Sequence, residues 1–146
     1  MAVDNKHFPL TQFHLHEPSE HELGGIRHYA GLHLVRTADD GSITLSGLID
    51  KSVPNAALGN YFEELPAVCD DAGLDDSQLL PADRTNVRHS ESLATALHRG
   101  MQWVVMADPI QAWEHQLDSF RSVIEQNSRP FQEQANRCVL PDSEEH

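Results

Sequence analysis

The chain has 146 residues, and it is short of cysteine, of basic charge and of long apolar runs. Each shortage removes a class of protein. Two cysteines, Cys69 and Cys138, are too few for a disulfide scaffold. No stretch reaches the roughly 18–20 apolar residues that cross a bilayer as a helix. Residues 1–7 show neither the basic n-region nor the apolar h-region of a secretory signal, so a cytoplasmic protein is expected. Lys and Arg total 10 against 23 Asp and Glu, a net charge of −13 with neutral histidines. So acidic a surface repels phosphate backbones, because nucleic-acid binding draws its affinity from cations that displace counterions. Anionic membranes are disfavoured for the same reason. Walker, Gly-x-Gly-x-x-Gly, Gly-x-Ser-x-Gly and Cys-x-x-Cys patterns are all missing.

What is present suits a single domain over residues 1–146. Hydrophobic residues make up 39% and charged residues 23%, enough for a core. A domain of this length buries roughly 68–70% of its unfolded surface and folds without a disulfide or a structural metal. Residues 1–25 are polar and broken, with a short alternating strand over Thr11–His16 that Pro18 ends. Ile26–Thr37 and Ser42–Asp50 alternate around Asp40-Gly41, a strong hairpin signal. In the first of these, Ala30, Leu32 and Leu34 share one face and Tyr29, Gly31, His33 and Val35 the other. A helix follows from Pro54 to Leu65, restarts at Pro66 and stops at Gly73. Residues 74–88 read as a polar connection, and Ser90 as the cap of a helix ending at Gly100. Met101–Met106 reads as a buried strand. After Asp108-Pro109, Ile110, Trp113, Leu117, Phe120, Val123 and Ile124 form the apolar stripe of a long amphipathic helix. Arg129-Pro130 interrupts it, a shorter helical piece runs through Phe131 to Ala135, and residues 141–146 form an acidic tail. The expected fold is therefore α+β: a small antiparallel sheet, made of hairpin 26–50 and the strand near 101–106, packed by helices that include a long C-terminal one.

Candidate chemistry gathers near the start. Of ten histidines, His7, His14, His16, His21, His28 and His33 precede residue 34. His14-x-His16 on a strand sends both imidazoles to one face, a spacing that metal sites use. With Glu17 or Glu22 as third ligand, these residues could hold zinc, iron or another first-row metal. Cys69 sits beside Asp70 and Asp71, which raise a thiol pKa and oppose thiolate chemistry. Asp70-Asp71 and Asp75-Asp76 bracket Gly73 at spacings that fail the calcium-loop template. Tyr61, Phe62, Trp103, Trp113 and Phe120 are core candidates that would also suit a surface for a client segment or a second copy.

Three features together resemble the small acidic chaperones of bacterial type III secretion: the hairpin Ile26–Asp50, the helix Pro54–Leu65, and the strand Met101–Met106 running into a Trp113-containing helix. The chain departs from that family in starting with Pro9, a strand and Pro18 rather than an amphipathic helix. The resemblance implies a homodimeric, non-enzymatic module with no cofactor. It would hold a basic or partly unfolded protein, as a secretion chaperone, an immunity protein or a phage-type inhibitor does. A metal-dependent enzyme using His14, His16 and the Glu17 carboxylate is the alternative from a different class. An acidic nucleic-acid mimic is the third.

Overall fold

Alternation of apolar and polar residues governs most of the chain, and the backbone follows it. A computed structural model describes residues 2–3, 6–39, 41–59, 86–91, 101–122, 126–131 and 139–141. Two short strands, β1 (Ala2–Val3) and β2 (Lys6–His7), pair with each other, and β3 (Leu10–His16) follows. Next, β4 (Glu22–Leu23) and β5 (Ile26–Arg27) form a tight ribbon. Its turn residues Gly24 and Gly25 both have positive φ, 58° and 76°. A two-residue turn with both φ values positive favours glycine, which has no Cβ to clash. The main hairpin is β6 (Ala30–Ala38) and β7 (Gly41–Lys51), closing at the Ala38–Gly41 pair. Then come β8 (Asn86–Glu91), β9 (Met101–Met106), β10 (Ile110–Ala112), the helix α1 (Glu114–Arg121) and β11 (Val139–Pro141).

These strands build a seven-stranded mixed sheet in the order β11-β8-β9-β7-β6-β3, with β10 also beside β7. The eleven-residue β7 is the spine. Its first half pairs in parallel with β9 (Ser42↔Met101 to Ser46↔Val105), and its end pairs in parallel with β10 (Ile49↔Ile110 to Lys51↔Ala112). Residues opposite each other in register share a face. One face is apolar: Leu15, Leu32, Leu34, Ile43, Leu45, Ile49 and Val104 form one cluster with Ile110, Ala112 and with Leu117 and Phe120 of α1. The other face carries His14, His33 and Ser46 in one cross-strand row, and Thr44 opposite Trp103 in the next. His33, Thr44 and Ser46 are buried there.

A hairpin forms, but from Ala30 rather than Ile26, whose strand pairs with β4; a strand forms at Met101–Met106, but it runs parallel to β7 in a mixed seven-stranded sheet, so neither the small antiparallel sheet nor the helix-packed α+β architecture is present. Ser90, expected to cap a helix, lies inside β8, which covers the outer edge of β9 and satisfies its backbone groups. The long C-terminal helix shrinks to the eight residues of α1. Ile110 and Ala112 fit a period of two as well as the start of a helical stripe. Beside the end of β7 the strand option wins, because it completes a ladder and buries both side chains. Of the helix from Pro54, residues 56–59 are helical. Residues 60–85 and 92–100, and with them Tyr61, Phe62, Cys69 and the Asp70-Asp71 and Asp75-Asp76 pairs, lie outside the described residues, as do Val123, Ile124, Cys138 and the tail from 142.

Candidate metal centre

Strand periodicity and register together assemble three imidazoles. His14 and His16 are two apart on β3 and share its polar face. His33 on β6 stands directly opposite His14. The ring centroids lie 4.9 Å (His14–His16), 5.2 Å (His14–His33) and 4.8 Å (His16–His33) apart. One nitrogen from each lies within 4.8 Å of the others, the one such group of three ligand-bearing side chains among the described residues.

Four nitrogens here, His14 Nδ1, His16 Nε2 and both of His33, are buried without a hydrogen-bond partner. A buried unsatisfied polar atom costs roughly 1–3 kcal/mol, so native proteins do not gather several without a use for them. Burial, reinforced by the neighbouring His16, His21 and His14, lowers the His33 pKa to about 2. Burial and then His16 lower that of His14. Both are neutral at physiological pH, the form in which imidazole offers a lone pair to a cation. Donor type, convergence, neutrality and the orphaned lone pairs all fit a divalent first-row metal.

Further groups frame the cluster. His16 turns Nδ1 toward the Asn127 carbonyl (3.4 Å) and the Glu20 carboxylate (3.6 Å), which leaves Nε2 for the centre. The outer nitrogen of a ligating histidine commonly has such a partner, which fixes the ring. Glu20 is itself held by the Arg129 backbone N–H, which donates to it at 2.8 Å. His21 lies 5.8 Å from His33 and within 3.4 Å of the Ser46 hydroxyl. The Trp103 ring lies edge-on to His33, with centroids 4.8 Å apart, and tilted against His21 at 4.9 Å.

The structure brings His14 and His16 together but not with Glu17. The Glu17 carboxylate instead accepts a bond from Arg121 Nε at 2.6 Å. Glu22 is exposed on β4. The third imidazole is His33, which local spacing alone does not join to the pair. The available signal was the alternation of residues 29–35, which sets His33 on the face away from the leucines. Nor do Trp103, Trp113 and Phe120, the described members of the aromatic set expected to bind a partner, form one surface. Phe120 is buried in the apolar core, Trp103 is buried on the opposite face, and Trp113 is 52% exposed.

No family model matches the chain. It is 32% identical over 148 residues to a carbonic anhydrase of Pectobacterium atrosepticum, covering 96% of this chain and 61% of that protein. The α-carbonic anhydrase of Thermovibrio ammonificans, solved with the inhibitor sulfanilamide, superposes with a TM-score of 0.81 at 31% identity, over 94% of this chain and 64% of that one. The α-carbonic anhydrase of Photobacterium profundum superposes with a TM-score of 0.77 at 31% identity, over 95% of this chain and 67% of that one. The chain thus spans about three fifths of the length of the curated relatives it matches. These likenesses overturn the resemblance to secretion chaperones, and with it the non-enzymatic, protein-binding reading in its chaperone, immunity-protein and inhibitor forms. A hairpin, an apolar strand and acidic charge are common to many folds and carried no specific motif. Identity above 30% along nearly the whole chain agrees with the matching fold, and on both grounds the chain belongs to the α-carbonic anhydrase family.

Proposed function

We propose that the protein interconverts carbon dioxide and bicarbonate at a centre in which His14, His16 and His33 hold a divalent cation, zinc being the best match. Three neutral imidazoles suit zinc, and a catalytic zinc site leaves a fourth position open. Such a cation supplies Lewis-acid activation of water near neutral pH, chemistry for which carbonic anhydrase is itself the reference case. The chain's own groups do the rest. The β3–β6 register holds the three rings on one face, and the Asn127 carbonyl and Glu20 carboxylate orient His16. Trp103 and Val105, buried on the same face, give it an apolar wall suited to a small nonpolar substrate. The observation that carries this reading is the convergence of three imidazoles whose buried nitrogens have no protein partner.

The test uses untagged protein. Its zinc content is measured after dialysis, and carbon dioxide hydration is followed by stopped flow with a pH indicator. The expected result is one zinc per chain, hydration above the uncatalysed rate, and inhibition by sulfanilamide as in the Thermovibrio relative. A folded protein that takes up no zinc, or takes it up without accelerating hydration, overturns the reading.

A further inference from the structure

His16 closes an edge strand. Among the described residues β3 ends the sheet and pairs with β6 alone, its last pair being His16↔Gly31. Strand ends at a sheet edge open more readily than central strands, so a ligand placed there needs support from elsewhere. Two residues distant in sequence supply it. Asn127 offers its carboxamide to the outer side of β3 as a neighbouring peptide would: Nδ2 donates to the Leu15 carbonyl at 2.9 Å, and the Glu17 N–H donates to Oδ1 at 3.1 Å. Arg121, the last residue of α1, donates through Nε to Glu17 Oε1 at 2.6 Å and through Nη2 to the same oxygen. The Glu17 side chain is 7% exposed. A carboxylate so buried is strongly unfavourable without its partner, unlike an ordinary surface pair.

Arg121 is seated in turn. Its guanidinium lies over the Tyr29 ring at 4.6 Å and within 3.9 Å of Asp118. Lys51 also lies over Tyr29, at 4.3 Å, and pairs with Glu114 at 2.7 Å. Leu117 and Phe120 fix α1 in the apolar core. A continuous physical path therefore runs from the core through α1 and Arg121 to Glu17 and the backbone of His16.

We propose that the Arg121–Glu17 ion pair is a positioning device for His16, through which the docking of α1 sets the orientation of that imidazole and the affinity of the centre for its cation. The consequence for affinity rests on the metal reading above. The positioning itself holds in the metal-free protein, and this keeps the two separable.

The test compares the full chain with Arg121→Gln and Arg121→Lys. The first readout is the imidazole ¹⁵N–¹H NMR correlations of His14, His16 and His33 without metal. The second is zinc affinity by competition with a chromophoric chelator. Arg121→Gln is expected to move the His16 signals more than those of His14 and His33, and to weaken zinc binding within the ~10–100-fold range typical of outer-shell changes. Arg121→Lys keeps the charge but not the planar fork, and should fall between. His16 signals unchanged in folded Arg121→Gln, or equal shifts at all three histidines, overturn the proposal. Should Arg121→Gln fail to fold, Arg121→Lys decides on the same readouts, and signals and affinity identical to wild type count against it. If wild type takes no zinc while the His16 signals respond to Arg121→Gln, the positioning stands and the metal reading falls.

Discussion

On one face of β3, β6 and β7 stand Leu15, Leu32, Leu34 and Leu45, buried in one cluster with Leu117 and Phe120 of α1. On the other stand His14, His16, His33, Thr44 and Ser46, carried by the same three strands. The backbone hydrogen bonds serve both faces equally, so the difference lies in what the side chains do when water leaves. The leucines gain roughly 1.5–3 kcal/mol each on burial. The buried imidazole nitrogens lose hydration and recover nothing from the protein. The leucine face holds the sheet and α1 together, and the histidine face is a liability unless a ligand completes it.

The sharpest way to break that contrast is His33→Leu. Removing one of three imidazoles should lower zinc affinity by more than the ~100-fold that marks the upper end of outer-shell changes. The metal-free protein should be no less stable than wild type. The substitution deletes two unsatisfied nitrogens, each costing roughly 1–3 kcal/mol, and leucine has a comparable volume. Chelator competition and urea melts of the metal-free protein check the two halves. A large loss of metal-free stability would mean that His33 has a structural partner after all.

Leu34→Ala makes the converse cut one residue away. Leu34 is fully buried, so the cavity should cost about 2–5 kcal/mol in urea melts. Zinc affinity of the folded fraction should stay within a few-fold of wild type. If affinity instead fell as far as in His33→Leu, the two faces would not be separable.

How much of this was legible in the sequence follows from range. Alternation within a strand is local, so the hairpin, the segregation of Ala30, Leu32 and Leu34 from His33, and the shared face of His14 and His16 could be read directly. The union of His33 with that pair depends on β3–β6 register, which joins segments whose partners are up to about two dozen residues apart and leaves no local mark. β8 leaves no such pattern, because Asn86-Val-Arg-His-Ser-Glu91 has one strongly apolar residue. It is a strand because β9 offers it an edge. The parallel pairing of β7 with β9 and β10 is likewise non-local, and without it Ile110 and Ala112 belong as well to a helix. Glu17 lies beside His16 in the chain, yet a strand turns neighbours to opposite sides, and the cation that its buried carboxylate meets comes from Arg121, over a hundred residues later.

A smaller effect is expected from pH. In the unfolded chain His33 titrates near its ordinary value of 6.5, and in the fold burial lowers it to about 2. Between those values the unfolded state holds a proton that the folded state does not. Stability is therefore complete above about pH 6.5 and falls as the pH drops below it, by up to ~1.4 kcal/mol per pH unit for one such group. His14, also lowered, acts in the same direction. Urea melts of the metal-free protein between about pH 5 and 6.5 should show this slope in wild type and a shallower one in His33→Leu. A wild-type stability that is flat or rises on acidification would contradict the burial of these imidazoles.

The smallest effect is expected at Trp113, one of the two tryptophans and the exposed one. Its backbone serves α1, since its N–H donates to Gln116 Oε1 at 3.0 Å and its carbonyl accepts from the Gln116 N–H at 3.0 Å. Substitution leaves both bonds in place, so Trp113→Phe should change stability by no more than about 0.5 kcal/mol. Its value is optical. Trp103 is then the only tryptophan, buried 4.8 Å from His33 and 4.9 Å from His21 on the histidine face. Emission from the variant should be that of a buried indole and should respond as zinc is added to metal-free protein. Buried emission that ignores zinc at concentrations where the metal is bound would show that the centre forms away from His33, and the division between a structural and a functional face would have to be drawn elsewhere.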